Sequence, residues 1–175
     1  PAAPGAPVQP GAPVQPGAPA AADAAAAAAP GGGGARATAV AAIVRAAREN
    51  GIRDPALLVA VAMEESNLNP AAAGDDFGSG PSSFGLFQLH EGGALGSLTP
   101  EQAKDPYVNA SVIARAWARV GGRQMSGPDH LIDYYREVGR GASNEIPAAK
   151  ARALYGQAQQ LVAQYGGGPP AIQGG

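Results

Sequence analysis

The chain has 175 residues and carries 12 Lys and Arg against 14 Asp and Glu, a net charge of −2. That balance supplies no basic footprint for nucleic acid. The lack of cysteine excludes disulfides, thiolate catalysis and Cys-based metal sites, and no run of 18 apolar residues is present to span a membrane.

Of the 17 prolines, eight fall in the first 30 residues, where GAPVQP occurs twice in tandem from Gly5 to Pro16. Proline at this density favours extended polyproline II and cannot donate backbone hydrogen bonds, so residues 1–19 read as a semi-stiff spacer. The Ala run Ala20–Ala29 has no apolar stripe to bury, and the glycines Gly31–Gly34 are expected to break it. Residues 1–35 are therefore expected to be a disordered Pro/Ala/Gly-rich linker, and 166–175 a second, Gly/Pro-rich one. The chain does not begin with Met and shows no signal peptide, so it is expected to be a piece of a larger protein.

Between the linkers, residues 36–165 are enough for one core of ordinary size, and the pattern is helical. A first helix is predicted over Ala37–Asn50, with Val40, Ile43, Val44 and Ala47 inward and Gly51 as its stop. A second opens with Asp54 as N-cap and Pro55 at the first helical position. There Leu58, Val61 and Glu65 share one face, which sets Glu65 at the C-terminal end of the inward side. After Pro70 comes a Gly-, Ser- and Asp-rich loop in which a short hairpin is possible. Thr99-Pro100-Glu101-Gln102 carries the capping-box pattern. Asp105-Pro106 starts a helix expected to turn Val108, Val112, Ala116 and Val120 to the core. Helices over about Pro128–Val138 and Pro147–Tyr165 follow, the last with Leu154, Ala158, Leu161, Val162 and Tyr165 as its stripe. The domain is read as mainly α.

Three segments stand in a specific order: ALLVAVAMEESNLNP, then SSFGLFQLH, then DPYVNASVIARAW. This order resembles the lysozyme-like superfamily, in particular soluble lytic transglycosylases and goose-type lysozymes. The matching residues are Glu65-Ser66, Gly85-Leu86-Phe87-Gln88, and Asp105, Pro106 and Asn109, with Phe87 where the family usually has Met. The resemblance covers roughly residues 37–165 and implies a lysozyme-like helical domain with a Gly-rich active-site loop. It also implies a substrate, the peptidoglycan glycan strand, cut at the β-1,4 bond between N-acetylmuramic acid and N-acetylglucosamine. No cofactor or metal is implied. The net charge argues against strong electrostatic attraction to an anionic wall, so binding would depend on a shaped groove.

The chemistry asks for what Glu65 offers, a carboxylic acid kept protonated so that it can donate to the leaving oxygen. Burial and the negative end of the helix dipole both favour the neutral form. Glu64, about 100° round the helix, reads as an ordinary polar residue. Goose-type enzymes place an aspartate before the Gly-Leu-x-Gln loop, and Asp75 and Asp76 stand there, though farther from Gly85. Each is either a hydrolytic base or a turn former. Without such a base the resemblance implies lytic transglycosylation, in which Glu65 acts as acid and then base and the product is a 1,6-anhydro sugar.

By the same resemblance Ser83, Gly85 and Gln88 line the groove; the alternative is a tight turn with a satisfied amide. In transglycosylases a Tyr in a Tyr-Asn-Ala-Gly segment faces the acid. That region here reads Asp133-Tyr134-Tyr135-Arg136-Glu137-Val138-Gly139, so Tyr134 or Tyr135 could take the role, or both could pack. His90 and His130 have no metal-ligand spacing, and Trp117 reads as core. The resemblance and the repetitive flanks suit a phage tail or virion protein, or a secreted cell-wall enzyme. The competing class is a catalytically inactive peptidoglycan-binding or structural module of a phage tail protein.

Overall fold

In the computed structural model, residues 32–76, 78, 80–137 and 146–167 are described. The proposed spacer 1–19, the Ala run, Val138 and the end of the C-terminal linker lie outside them. Among the described residues the elements are α1 (Gly32–Glu49), α2 (Pro55–Ser66), β1 (Ala73–Gly74), β2 (Ser83–Phe84), β3 (Leu89–His90), α3 (Pro100–Ala103), α4 (Pro106–Arg119), α5 (Asp129–Glu137) and α6 (Ala148–Tyr165), with a 3-10 turn at Gly122–Gln124. The mainly α reading holds, and the possible hairpin is present as part of a small antiparallel sheet, β1-β2-β3.

The core is built around α2. Every residue from Ala56 to Met63 is buried, so this helix is enclosed on all sides rather than amphipathic. It packs against α1, α5 and α6, while α1 lies along α4. Alanine makes these close approaches possible: Ala46, Ala47, Ala60, Ala62, Ala110, Ala114, Ala151 and Ala158 are all buried. The enclosure ends at Met63, and Glu64, Glu65 and Ser66 are half-buried. Glu65, at the C-terminal end of the helix face expected to pack inward, thus stands in the turn that emerges from the core.

Both ends of α2 are fixed. Asp54 caps it by accepting from Ala56 N at 3.1 Å. Its Oδ2 also accepts from Ser126 Oγ at 2.8 Å, Gly127 N at 3.1 Å and Tyr155 Oη at 2.6 Å, tying α2 to α6 and to the loop before α5. At the other end Asn67 and Leu68 take left-handed backbone, with φ of 52° and 61°. The Leu68 N–H then closes back on Ala62 O at 3.1 Å, a Schellman-type stop.

Two expectations about helices are corrected. The first helix begins at Gly32, not Ala37, so Gly32–Gly34 form its first turn. Glycine costs a helix only about 1 kcal/mol per residue relative to alanine, which packing of Ala39, Val40, Ile43 and Val44 can outweigh. Gly51 ends α1 as expected, at φ 72°. On α4 the buried stripe is Asn109, Ala110, Ile113, Ala114, Trp117 and Ala118; Val108 and Val112 are half-buried and Val120 is 44% exposed. Hydrogen bonds made by Asn109 fix the helix's rotation, and the valines move off the inward face. The capping box at Thr99 and Gln102 forms in full, and Asp105 caps α4 through Tyr107 N and Val108 N. On α6, Ala158 is buried, and Leu154, Leu161, Val162 and Tyr165 pack half-buried against the core.

Trp117 is fully buried, edge-on to Tyr134 with ring centroids 5.3 Å apart. Gly122 lies flat against its indole, where an added Cβ would stand 2.4 Å from ring carbons. Overfilling a packed core costs about 1–3 kcal/mol. Gly122→Ala is expected to lower unfolding stability by about that amount, read as a fall in the urea midpoint at constant m-value.

Candidate active site

The three sequence segments meet at one place. The turn between β2 and β3 is Gly85-Leu86-Phe87-Gln88, closed by Gln88 N on Gly85 O at 3.2 Å. Ser66, the residue after Glu65, donates through Oγ to Leu86 O at 2.9 Å and to Ala62 O at 3.1 Å. From the other side Asn109, fully buried, accepts from Phe87 N at 2.9 Å and donates to Phe84 O at 3.0 Å and to Ala103 O at 2.6 Å. The helix end carrying Glu65, the hairpin turn and α4 are locked together by two side chains.

This lock requires glycine at 85. Its φ is 79°, and a Cβ there would lie 2.2 Å from both Ala103 O and Asn109 Nδ2. Gly85 is thus occupied with fitting against Asn109, and its N–H donates to Ala72 O at 2.8 Å. Gln88 also has left-handed backbone, φ 48°. Its Nε2 donates to Gly85 O at 2.9 Å, and its Oε1 lies against Gly74, where a Cβ would be only 2.5 Å away. Gln88 thus spends an amide N–H on the carbonyl of its own turn.

Ser83 is buried and donates to the Asp75 carboxylate, while Ser82 Oγ donates to Asp75 O at 2.9 Å. Asp76 accepts through Oδ1 from Gly78 N at 2.8 Å and Gly80 N at 3.2 Å. Both aspartates thus shape the loop that leads into β2, Asp75 at φ 57°. His90 accepts at Nδ1 from Gly92 N at 2.9 Å. The neutral ring is then protonated at Nε2, so it faces Ser82 Oγ, 3.4 Å away, as a donor and not as a base. His130 Nδ1 lies 2.6 Å from Ser126 O. Among the described residues no three His, Asp or Glu gather as a metal would require.

The two tyrosines separate. Tyr134 packs edge-on against both Trp117 and Tyr135, whereas Tyr135 brings its phenol to Glu65. Burial, and after it the Glu65 carboxylate, push the Tyr135 hydroxyl far above its ordinary value of 10.0, with Tyr134 and Glu64 adding to the effect. Among the described residues the buried hydroxyl has no hydrogen bond of ordinary geometry; the Glu65 carboxylate acts on it by charge and, as the weakest of these causes, as a side-chain hydrogen-bond partner. Glu64 points instead to α6, where it forms an ion pair with Lys150.

Two groups here were not singled out for this role from sequence. Asn109 carries part of the family resemblance, but its clamp depends on the distant residues Phe84, Phe87 and Ala103. The available signal is its i, i+4, i+8 spacing with Ile113 and Trp117 on the apolar side of α4. The Glu64–Lys150 pair spans 86 residues and leaves no local pattern.

A family model described as a lysozyme-like domain matches residues 44–120. That interval holds all three segments and the lock between them, and the chain therefore carries a lysozyme-like domain. The class is one of glycosidases acting on peptidoglycan. No curated protein and no solved structure matches the chain. No helix among the described residues is long and apolar enough to cross a membrane.

Two outcomes are expected. Asn109→Ala strands Phe87 N, Phe84 O and Ala103 O in the core, and each buried polar group left unpaired costs about 1–3 kcal/mol. Thermal unfolding should show a loss of at least about 2 kcal/mol. Tyr135 titrates higher folded than unfolded, so its contribution is complete below the unfolded value near 10.0 and is lost as pH rises above it. Stability measured against pH should fall on that alkaline side, and less steeply in Tyr135→Phe.

Proposed function

We propose that this domain cleaves the β-1,4 bond between N-acetylmuramic acid and N-acetylglucosamine in peptidoglycan, with Glu65 as the general acid. The observation that carries the reading is the position of Glu65. It stands in the first half-buried turn of an otherwise enclosed helix, pinned through Ser66 to the Gly85–Gln88 turn and faced by the Tyr135 phenol. A carboxyl in such a place is partly desolvated, lies at the negative end of α2 and has a neutral phenol beside it. The first two suit an acid that must hold its proton until the leaving oxygen takes it.

Lytic transglycosylation is the favoured route. Asp75 and Asp76 spend their carboxylates on Ser83 and on the Gly78 and Gly80 N–H groups, so neither is poised to activate water across the sugar. Glu65 gives its proton to the leaving oxygen and, as carboxylate, takes one back from the 6-hydroxyl as the 1,6-anhydro ring closes. The substrate's N-acetyl group supports the charge developing at the anomeric carbon. Tyr135 contacts the acid, and Ser83, Gly85 and Gln88 shape the groove floor, with Tyr134 behind them in the core. The reading extends to a virion or secreted wall-acting context, where this substrate is met.

Loss of a general acid slows such reactions by about 10²- to 10⁴-fold. Glu65→Gln is expected to abolish turbidity loss of purified cell walls at that scale while the melting temperature stays near wild type. Mass spectrometry of wild-type products should show 1,6-anhydro ends. Reducing ends would instead make Asp75 or Asp76 the base of a hydrolase. Wild-type protein that binds walls and releases no fragment would leave the inactive module as the answer.

A further inference from the structure

Two adjacent acids end α2, and the proposed proton donor is the second of them. Glu64 and Glu65 stand in the last turn, which has no basic residue of its own. A helix C-terminus is the negative end of the dipole and disfavours both carboxylates. The cation that answers Glu64 comes from another helix. Lys150 Nζ donates to Glu64 Oε1, an ion pair between residues 86 apart in the chain. Lys150 lies in the first turn of α6, the positive end, where a cation is disfavoured as well. The pair thus serves neither helix by itself. By contrast, Arg45–Glu49 and Lys104–Glu101 join residues four and three apart, within one helical turn.

The two carboxylates are felt at one spot. After burial, the charges of Glu65, Tyr134 and Glu64 all act against ionisation of the Tyr135 hydroxyl. The Glu64 carboxylate is therefore near enough for its charge to reach the proposed site, although it points to α6. Its side chain is 27% exposed and that of Lys150 50%, so water screens the pair only in part. Of the helices packed on α2, α5 carries Asp133, Tyr134 and Tyr135, and α6 carries Lys150 and the exposed Arg152. On α1, Arg45, Arg48 and Glu49 lie at the end that leads into the start of α2. Arg36, nearer the other end of α1, has a buried Nε with no hydrogen-bond partner among the described residues. Lys150 is the cation placed directly on Glu64.

Proton transfer changes the charge at this helix end. As the glycosidic bond breaks, the leaving oxygen takes the Glu65 proton and a carboxylate remains. That carboxylate is protonated again when the 6-hydroxyl oxygen bonds to the anomeric carbon and gives up its proton. With Glu64 unpaired, the first transfer would set two negative charges side by side, which opposes it. With Lys150 on Glu64, the three groups pass from net neutral to a single negative charge and back. Given the reading of Glu65 as the acid, on which this inference rests, we propose that Lys150 is a positioning residue for the reaction. It holds the Glu64 charge so that Glu65 can release its proton to the leaving oxygen.

The test uses the full chain and follows Glu65 in two ways. One is the pH profile of fragment release from purified walls; the other is a carboxyl-carbon NMR titration. The Glu65 resonance is the one missing from Glu65→Gln. Lys150→Met leaves Glu64 unpaired, so Glu65 should hold its proton to higher pH. Glu64→Gln leaves Lys150 unpaired, so Glu65 should lose its proton at lower pH. Each shift is expected to be about half a pH unit or more, as for neighbouring charges that are partly screened. The alkaline limb of the activity profile should move in the same two directions. Combining both substitutions should bring it back close to wild type, and Lys150→Arg should leave it in place. Melting temperatures should stay near wild type, because ion pairs this exposed add little to stability.

A purely structural role would lower stability without moving the titration in opposite directions. A Glu65 titration that stays fixed in both single variants, or moves the same way in both, overturns the inference. Should one variant fail to fold, the sign of the shift in the other decides. Opposite shifts by NMR with no fragment release by the wild type overturn the enzymatic reading and leave the charge coupling standing.

Discussion

The side chain of Asn109 is the constraint on which the site depends. An amide has few ways to be satisfied in a dry interior, and each unmade bond is costly. Asn109 meets its needs with Phe87 N, Phe84 O and Ala103 O, drawing the β2–β3 turn and the end of α3 onto α4. Gly85 follows from it, since any Cβ would collide with that amide. The turn then offers Leu86 O to Ser66, and Ser66 fixes the last turn of α2. The position of Glu65 is thus set by a residue on another helix that has no contact with it among the hydrogen bonds described.

Much of the fold was legible because its punctuation is local. Asp54-Pro55, Thr99 to Gln102, Asp105-Pro106 and Gly51 act within a few residues, and each works where the sequence puts it. What was not legible depends on partners distant in the chain. The rotation of α4 is set by Asn109's bonds to the hairpin, so valines spaced every fourth residue gave the wrong inward face. The start of α1 depends on packing that outweighs glycine's low propensity. The all-round burial of α2 follows from α1, α5 and α6 enclosing it, and a continuous apolar run alone does not tell how many sides are covered.

The candidate site divides the same way. The Glu-Ser, Gly-Leu-Phe-Gln and Asp-Pro-x-x-Asn segments were readable as an ordered set, and they fall within the lysozyme-like match. The choice between adjacent tyrosines was not readable, because two neighbours on a helix differ only by rotation. In the fold Tyr134 lies edge-on to Trp117, while the next residue, Tyr135, lies beside Glu65. The aspartates were open between catalysis and turn formation for a related reason. A carboxylate in a Gly- and Ser-rich loop has N–H and O–H donors close by, and only the folded loop shows that Asp75 and Asp76 use them.

The alanines that let α1, α2, α4 and α6 approach so closely carry a consequence for how this chain can vary. A core of large side chains is usually harmed by truncation, which opens cavities. Here many buried positions have little left to remove, and a longer side chain would have to find room in a closed interior. Sequence drift at these contacts is therefore bounded from above in size. Valine or leucine at Ala46, Ala60, Ala114 or Ala158 would wedge helices apart, and the displacement would be carried along α2 to the turn that bears Glu65.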